Sequence, residues 1–133
     1  MYFKALLKLE GEEFEIIKAS YELGRDTDAK GQPSNQVRGG KINFQVKSSA
    51  KTILWEWIIN QYAQKDGEIE FYKRDDPSAA KVLKFEEAYI VHYEEDFDIS
   101  GARKEQPTVE NFTISARVLT MEPGGTFENT DWT

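Results

Sequence analysis

The sequence predicts a mainly β domain, a small antiparallel barrel or sandwich with one α-helix packed against it. Three observations carry that expectation. About seven runs alternate apolar with polar residues, turn residues punctuate them at short spacing, and one stretch, Ser48 to Gly67, follows the helical period instead. At 133 residues the chain amounts to one domain, 1–133. A chain of that length buries roughly 68% of its unfolded surface and can hold a real core. A content of 39% hydrophobic and 13% aromatic residues, with only four prolines, excludes a disordered or collagen-like polypeptide.

The first strand runs from Tyr2 to Leu9. Phe3, Ala5, Leu7 and Leu9 fall on one face, with Lys4 and Lys8 on the other, which is the period of a half-buried strand. Gly11 turns the chain into a return strand from Phe14 to Leu23, whose core residues are Phe14, Ile16 and Tyr21. Broken alternation between Ile17 and Ala19 predicts a bulge.

Gly24 to Gly40 is a long loop, marked by Gly31, Pro33, Gly39 and several Asp, Asn and Ser residues. Unstructured connections beyond about 12 to 15 residues are uncommon in compact domains, and those that occur tend to be functional or disordered. Arg25, Asp26, Asp28, Lys30 and Arg38 give this one nearly balanced charge. Lys41 to Lys47 then alternates cleanly, with Ile42, Phe44 and Val46 facing inward.

The helix is expected over about 49–65. Ser48 or Ser49 serves as N-cap, its hydroxyl accepting from an unpaired N–H of the first turn, and Asp66-Gly67 provides the stop. At about 100° per residue, Trp57, Leu54, Ile58, Tyr62, Trp55 and Ile59 sweep an apolar arc of roughly 200°, about twice what packing on a single sheet requires. Two readings stay open: a helix seated deeply beneath a loop of its own domain, or one whose second face meets another subunit.

Glu68 to Arg74 reads as a strand with Ile69 and Phe71 facing one way, and a turn at Pro77 leads to its hairpin partner, Lys81 to Glu87. Ala88 to Asp98 is a further strand, apolar on both faces near its start. A loop follows, and in the last long strand Phe112, Ile114, Ala116 and Val118 share a face. Residues 122–133 form a tail carrying Gly124-Gly125 and Trp132.

A net charge of −7 disfavours nucleic acid and anionic membrane as partners, since both are bound through Lys and Arg. The absence of cysteine removes disulfides, thiolate zinc sites and thiol nucleophiles, as suits a reducing compartment. Lys4 and Lys8 interrupt the first apolar run, so neither a signal peptide nor a spanning helix is expected, and the chain reads as a soluble cytoplasmic protein.

No catalytic or metal constellation emerges. Asp26-x-Asp28-x-Lys30-Gly31 opens like a calcium loop, but Lys30 is a repelling cation and Val37 stands where a bidentate Glu is needed. Glu94, Glu95, Asp96 and Asp98 read as a solvated face. His92 is the only histidine and has no partner type for a metal site. Asn111-Phe112-Thr113 fits a glycosylation triplet, but lies within a strand. Enzyme activity and cofactors are therefore not expected.

One family matches these blocks across nearly the whole chain. Ser20-Tyr21, Leu23, Arg25-Asp26, Asp28, Gly31, Pro33-Ser34, Val37 and Gly39-Gly40 make one signature. Trp55-Glu56-Trp57, Asn60-Gln61-Tyr62, Gly67, Lys73-Arg74-Asp75, Ala88-Tyr89, Phe112 to Ala116 and Trp132 extend it. The pattern resembles the tube-forming proteins of type VI secretion, the haemolysin-coregulated proteins, in a long-loop branch.

The resemblance implies a two-sheet barrel with one helix that forms a homo-hexameric ring. Such rings stack into a hollow tube that is surrounded by a sheath, tipped by a spike and loaded with effectors. It implies assembly in the cytoplasm and, on contraction, export without a signal peptide to the extracellular space or a target cell. On this reading Arg25, Asp26, Asp28, Lys30, Pro33, Arg38, Gly39 and Gly40 form the ring-stacking loop. Leu54, Trp55, Trp57, Ile58, Ile59 and Tyr62 serve the helix core and the lateral interface. A tail-tube protein of another phage-like contractile particle and a monomeric barrel binding a small ligand are the alternatives.

Overall fold

The computed structural model describes residues 2–25, 27–32, 39–48, 51–73, 79–97 and 108–128. Among them the order is β1 (Tyr2–Leu9), β2 (Glu12–Tyr21), β3 (Lys41–Lys47), α1 (Ile53–Ile59), β4 (Lys65–Lys73), β5 (Ala79–Phe97), β6 (Thr108–Glu122) and β7 (Gly125–Glu128). The strands form one antiparallel sheet in the order β3-β2-β1-β4-β5-β6-β7, and a further pairing of β3 with β6 closes it into a barrel, leaving β7 on the edge of β6. The mainly β barrel with a single helix is the architecture expected from the alternation.

Alternation decides which side chains fill it. Ile42, Phe44 and Val46 are buried on β3, Leu7 and Leu9 on β1, Phe14 on β2 and Ile69 on β4. Phe44 and Phe112 face each other across the β3–β6 seam and stack at 4.7 Å. Glu10 and Gly11, at φ 50° and 79°, make the two-residue turn joining β1 to β2; two consecutive positive φ angles suit a turn that follows the right-handed strand twist. The expected bulge falls at Ile17, where the β2–β3 register shifts. There β2 passes from pairing with β1 to pairing with β3.

Several boundaries differ from the expectation, among them β2, which spans Glu12–Tyr21 and not Phe14 to Leu23. The helix is shorter than 49–65, running only from Ile53 to Ile59, with Thr52 at its N-cap position. Ser48 does not cap it, because its hydroxyl donates to Glu95 Oε2 instead; Ser49 lies outside the described residues. At the other end the Asn60 side chain accepts from the Tyr62 N–H at 3.2 Å, and the Ala63 N–H donates to the Asn60 carbonyl at 3.1 Å. These turn bonds compete with helix continuation. The stretch from Lys65 is drawn into β4, pairing with Ala88.

The two strands expected over 81–98 are one, β5, reaching from Ala79 to Phe97. Leu83 and Phe85 point inward, but so do Ala88 and Ile90, so the alternation slips by one residue at Glu87, which has φ 52°. The slip resembles a strand break when seen only as a pattern. On β6 the same slip occurs opposite, so Leu119 rather than Val118 follows Phe112, Ile114 and Ala116 into the core. Part of the expected tail is structured too: Glu122 ends β6, and Gly125 to Glu128 is a strand because its backbone pairs with Val118 to Met121. The expected turn at Pro77 and the loop after Asp98 lie outside the described residues, as does Trp132.

Candidate assembly surfaces

The helix sits on β5 with two unlike faces. Leu54 and Trp57 are buried, and Ile58 packs partly against the core. The Trp57 indole N–H donates to the Ala63 carbonyl at 3.0 Å, so a large ring is buried with its polar atom satisfied. Trp55, Ile59 and Tyr62 turn the other way and are 57%, 68% and 81% exposed. Val91, at a β5 bulge, adds a further exposed apolar side chain. Of the six residues that the sequence assigned to the helix, Leu54, Trp57 and Ile58 thus serve the core or its margin, while Trp55 and Ile59 on the helix and Tyr62 in the turn after it stand at the surface.

Trp55 is held at its root. Its ring meets Tyr93 of β5 edge-on at 6.4 Å, and the Tyr93 hydroxyl donates to Glu110 Oε2 at 2.8 Å. Glu110 is buried on β6. Burial first, and then the Glu110 carboxylate, push the Tyr93 phenol above its ordinary pKa. It is therefore a neutral donor across the physiological range. Neither residue stood out in the sequence, because a Tyr on a strand and a Glu in an alternating run carry no signal of their own. The apolar second face near Ala88 to Val91 was the one hint.

The long loop is organised at its tip and its base. Asp28 Oδ1 accepts from the backbone N–H groups of Lys30 and Gln32 at 2.9 and 3.0 Å, and the Gly31 N–H donates to the Asp28 carbonyl. This Asx-type turn holds Asp28 to Gln32 in one shape and presents Lys30 to solvent. At the base Gly40, at φ 104°, is buried, and its carbonyl accepts from the Ala116 N–H at 2.7 Å. A Cβ on Gly39 would come within 2.4 Å of Leu23 Cδ2 and 3.1 Å of the Glu22 carbonyl oxygen, so the two ends of the loop pass close together there. Arg25 is exposed, while Asp26, Pro33 and Arg38 lie outside the described residues.

Charge pairs brace the barrel wall. Lys8 and Glu70 meet at 2.7 Å, with the Tyr72 hydroxyl donating to the same carboxylate oxygen at 2.9 Å. The Lys8 hydrogen bond is the main reason Glu70 titrates below the usual glutamate value. Arg117 bonds Glu87 and Glu128, bridging the slipped part of β5 to β7. Among the described residues no group of His, Asp or Glu converges as metal ligands, and no helix is long and apolar enough to cross a membrane.

A family profile described as "Hemolysin coregulated protein Hcp (TssD)" matches residues 1–133. Among solved structures, Hcp1 from Flavobacterium johnsoniae is 43% identical, covers 96% of this chain and 100% of its own, and superimposes with a TM-score of 0.88. Hcp1 from Salmonella typhimurium shares the fold at 14% identity, covering 96% and 92% of the two chains with a TM-score of 0.72. A chain of the sheath-tube complex of PVC, an extracellular contractile injection system, does so at 19% identity, covering 90% and 88% with a TM-score of 0.62. No curated protein matches.

Proposed function

The chain belongs to the hemolysin-coregulated protein family, Hcp or TssD, and from that premise we propose that it is the structural subunit of the inner tube of a type VI secretion apparatus. Its job on this reading is to be a wall: about six copies close into a ring through a head-to-tail contact, in which one surface of each copy meets a different surface of the next. Rings then stack into a hollow tube that a sheath encloses, a spike tips and effectors occupy. The tube assembles in the cytoplasm and leaves the cell when the sheath contracts.

The observation that carries the reading is the exposed apolar surface around α1. Trp55 and Ile59 on the helix, Tyr62 in the turn after it and Val91 on β5 are all more than half exposed in a single chain. An exposed apolar patch of this kind marks a protein contact, and we assign it to the lateral interface of the ring. The loop from Gly24 to Gly40 is assigned to stacking, since the Asp28 turn presents a preformed, charged tip. A monomeric ligand-binding barrel would need a hollow interior. Here Phe44, Phe85, Phe112 and Trp57 are buried in the core.

Size exclusion coupled to light scattering, followed by negative-stain imaging, tests the reading. The expected result is a ring of several times the chain mass of 15.3 kDa. A species of the single-chain mass at micromolar concentration would overturn it.

A further inference from the structure

Two outward faces of the barrel differ in chemistry. On the side formed by β1, β4 and β5, Lys8, Glu68 and Lys84 make one cross-strand row, and Lys8 with Glu70 and Lys84 with Glu122 are ion pairs at 2.7 Å. On the side formed by β2, β3, β6 and the end of β5, the register brings Ser20, Asn43, Thr113 and His92 into one row across four strands. That row holds no carboxylate, ammonium or guanidinium. The next row is Lys18, Gln45, Asn111 and Glu94, and its two charges, of opposite sign, stand at its ends.

Alternation puts this face outside the barrel. Phe44 and Phe112 are buried in the core, so Asn43 and Gln45 on β3 and Asn111 and Thr113 on β6 point the other way. Gln45 Nε2 donates to Asn111 Oδ1 at 3.1 Å, and Thr113 Oγ1 donates to Asn43 Oδ1 at 2.7 Å. These bonds tie the side chains to one another across the β3–β6 seam. A carboxamide carries two donors and an acceptor oxygen with two lone pairs, more than one such bond uses, so the face still offers hydrogen bonds of both senses.

A chain of net charge −7 has carboxylates to spare, yet the two middle strands hold none among these four side chains. Like charges on a concave wall focus their field and trap or repel whatever enters, and exposed apolar side chains adhere. Amides and hydroxyls do neither. Val91, at the β5 bulge beside His92, borders this face and belongs to the surface assigned to the lateral contact, so the two adjoin as the wall and the joint of a ring must. Resting on the tube-subunit reading, we propose that the amide face is the lumen wall, and that it meets protein cargo as an uncharged hydrogen-bonding surface. The cargo it fits is polypeptide of either net charge, retained by enclosure and not by ionic attraction.

The chain has no cysteine, so Asn43→Cys places a single thiol on this face. Maleimide gold coupled to it, viewed end-on under negative stain, should fall in the central hole of the ring. Methanethiosulfonates of opposite charge should modify the assembled ring at rates whose ratio stays within a few-fold of that for a small free thiol. Gold at the outer rim of intact rings overturns the wall assignment while the ring reading stands. A bias of roughly tenfold or more toward either reagent, as a charged cleft gives, overturns the uncharged wall. Should Asn43→Cys fail to close rings, Gln45→Cys in the next row takes its place. Loss of rings in both variants, with the parent closing normally, puts this face in the lateral contact and overturns the proposal. A parent that forms no ring overturns the tube reading itself, and this inference with it.

Discussion

Tyr93 donates to Glu110 across 2.8 Å, and this bond ties the exposed apolar face of α1 to a carboxylate that is only 1% exposed. The strand alternation that carries Val109 to Ala116 along β6 gives no warning of it. Removing the hydroxyl while keeping the ring, by Tyr93→Phe, should cost about 1–3 kcal/mol, since it withdraws a donor from a buried polar group. Trp55 would keep its edge-on contact. Chemical denaturation checks this, and an unchanged midpoint would show that the bond contributes nothing net.

Trp57 and Trp55, two residues apart, should behave oppositely. Trp57→Ala leaves a cavity in the core and strands the Ala63 carbonyl, and should cost about 3–5 kcal/mol. Trp55→Ala removes a ring that is more than half exposed. It should leave the melting temperature of the single chain nearly unchanged while lowering the mass seen by light scattering. A ring of unchanged mass would remove Trp55 from the lateral interface.

Acid should act through Glu70. Its folded-state pKa lies below its unfolded value because Lys8 hydrogen-bonds the carboxylate, with the Tyr72 hydroxyl adding to the effect. The pair therefore stabilises the fold above the ordinary glutamate value, and that contribution is lost as pH falls through the depressed one. Lys8→Met removes the largest cause of the depression. The melting temperature of the parent should thus fall more steeply on acidification below about pH 4.5 than that of Lys8→Met. Parallel curves for the two proteins would rule out this coupling.

The loop should separate stacking from ring closure. Rings of a chain carrying −7 repel one another at long range, and salt screens that repulsion with a Debye length of about 8 Å at physiological strength. Moderate salt should therefore lengthen tubes. Shortening the loop between Asp28 and Val37 should leave rings intact and abolish tubes under negative stain. Long tubes from the shortened chain, or the loss of its rings, would remove the loop from the stacking contact.

The barrel strands were legible because period-two alternation is a local property: Ile42, Phe44 and Val46 face inward whatever closes the sheet around them. The bulge at Ile17 was legible for the same reason, as a break in that period. The excess apolar arc of the helix was legible as an excess, and the structure divides it into Trp57 inside and Trp55 outside. What pattern alone could not supply was any feature determined by a partner distant in sequence. Lys65 has the helical surroundings of its neighbours but pairs with Ala88, so the helix ends early. Glu87 and Arg117 turn over together because they sit opposite one another, and a tail-like Gly125 to Glu128 becomes a strand because β6 offers it an edge. Composition, alternation and helical period are written residue by residue, and they determined a mainly β barrel with one helix. Which backbone each strand borders, and hence where elements end and which apolar face is left uncovered, depends on hydrogen bonds between residues tens of positions apart, and only the closed sheet decides them.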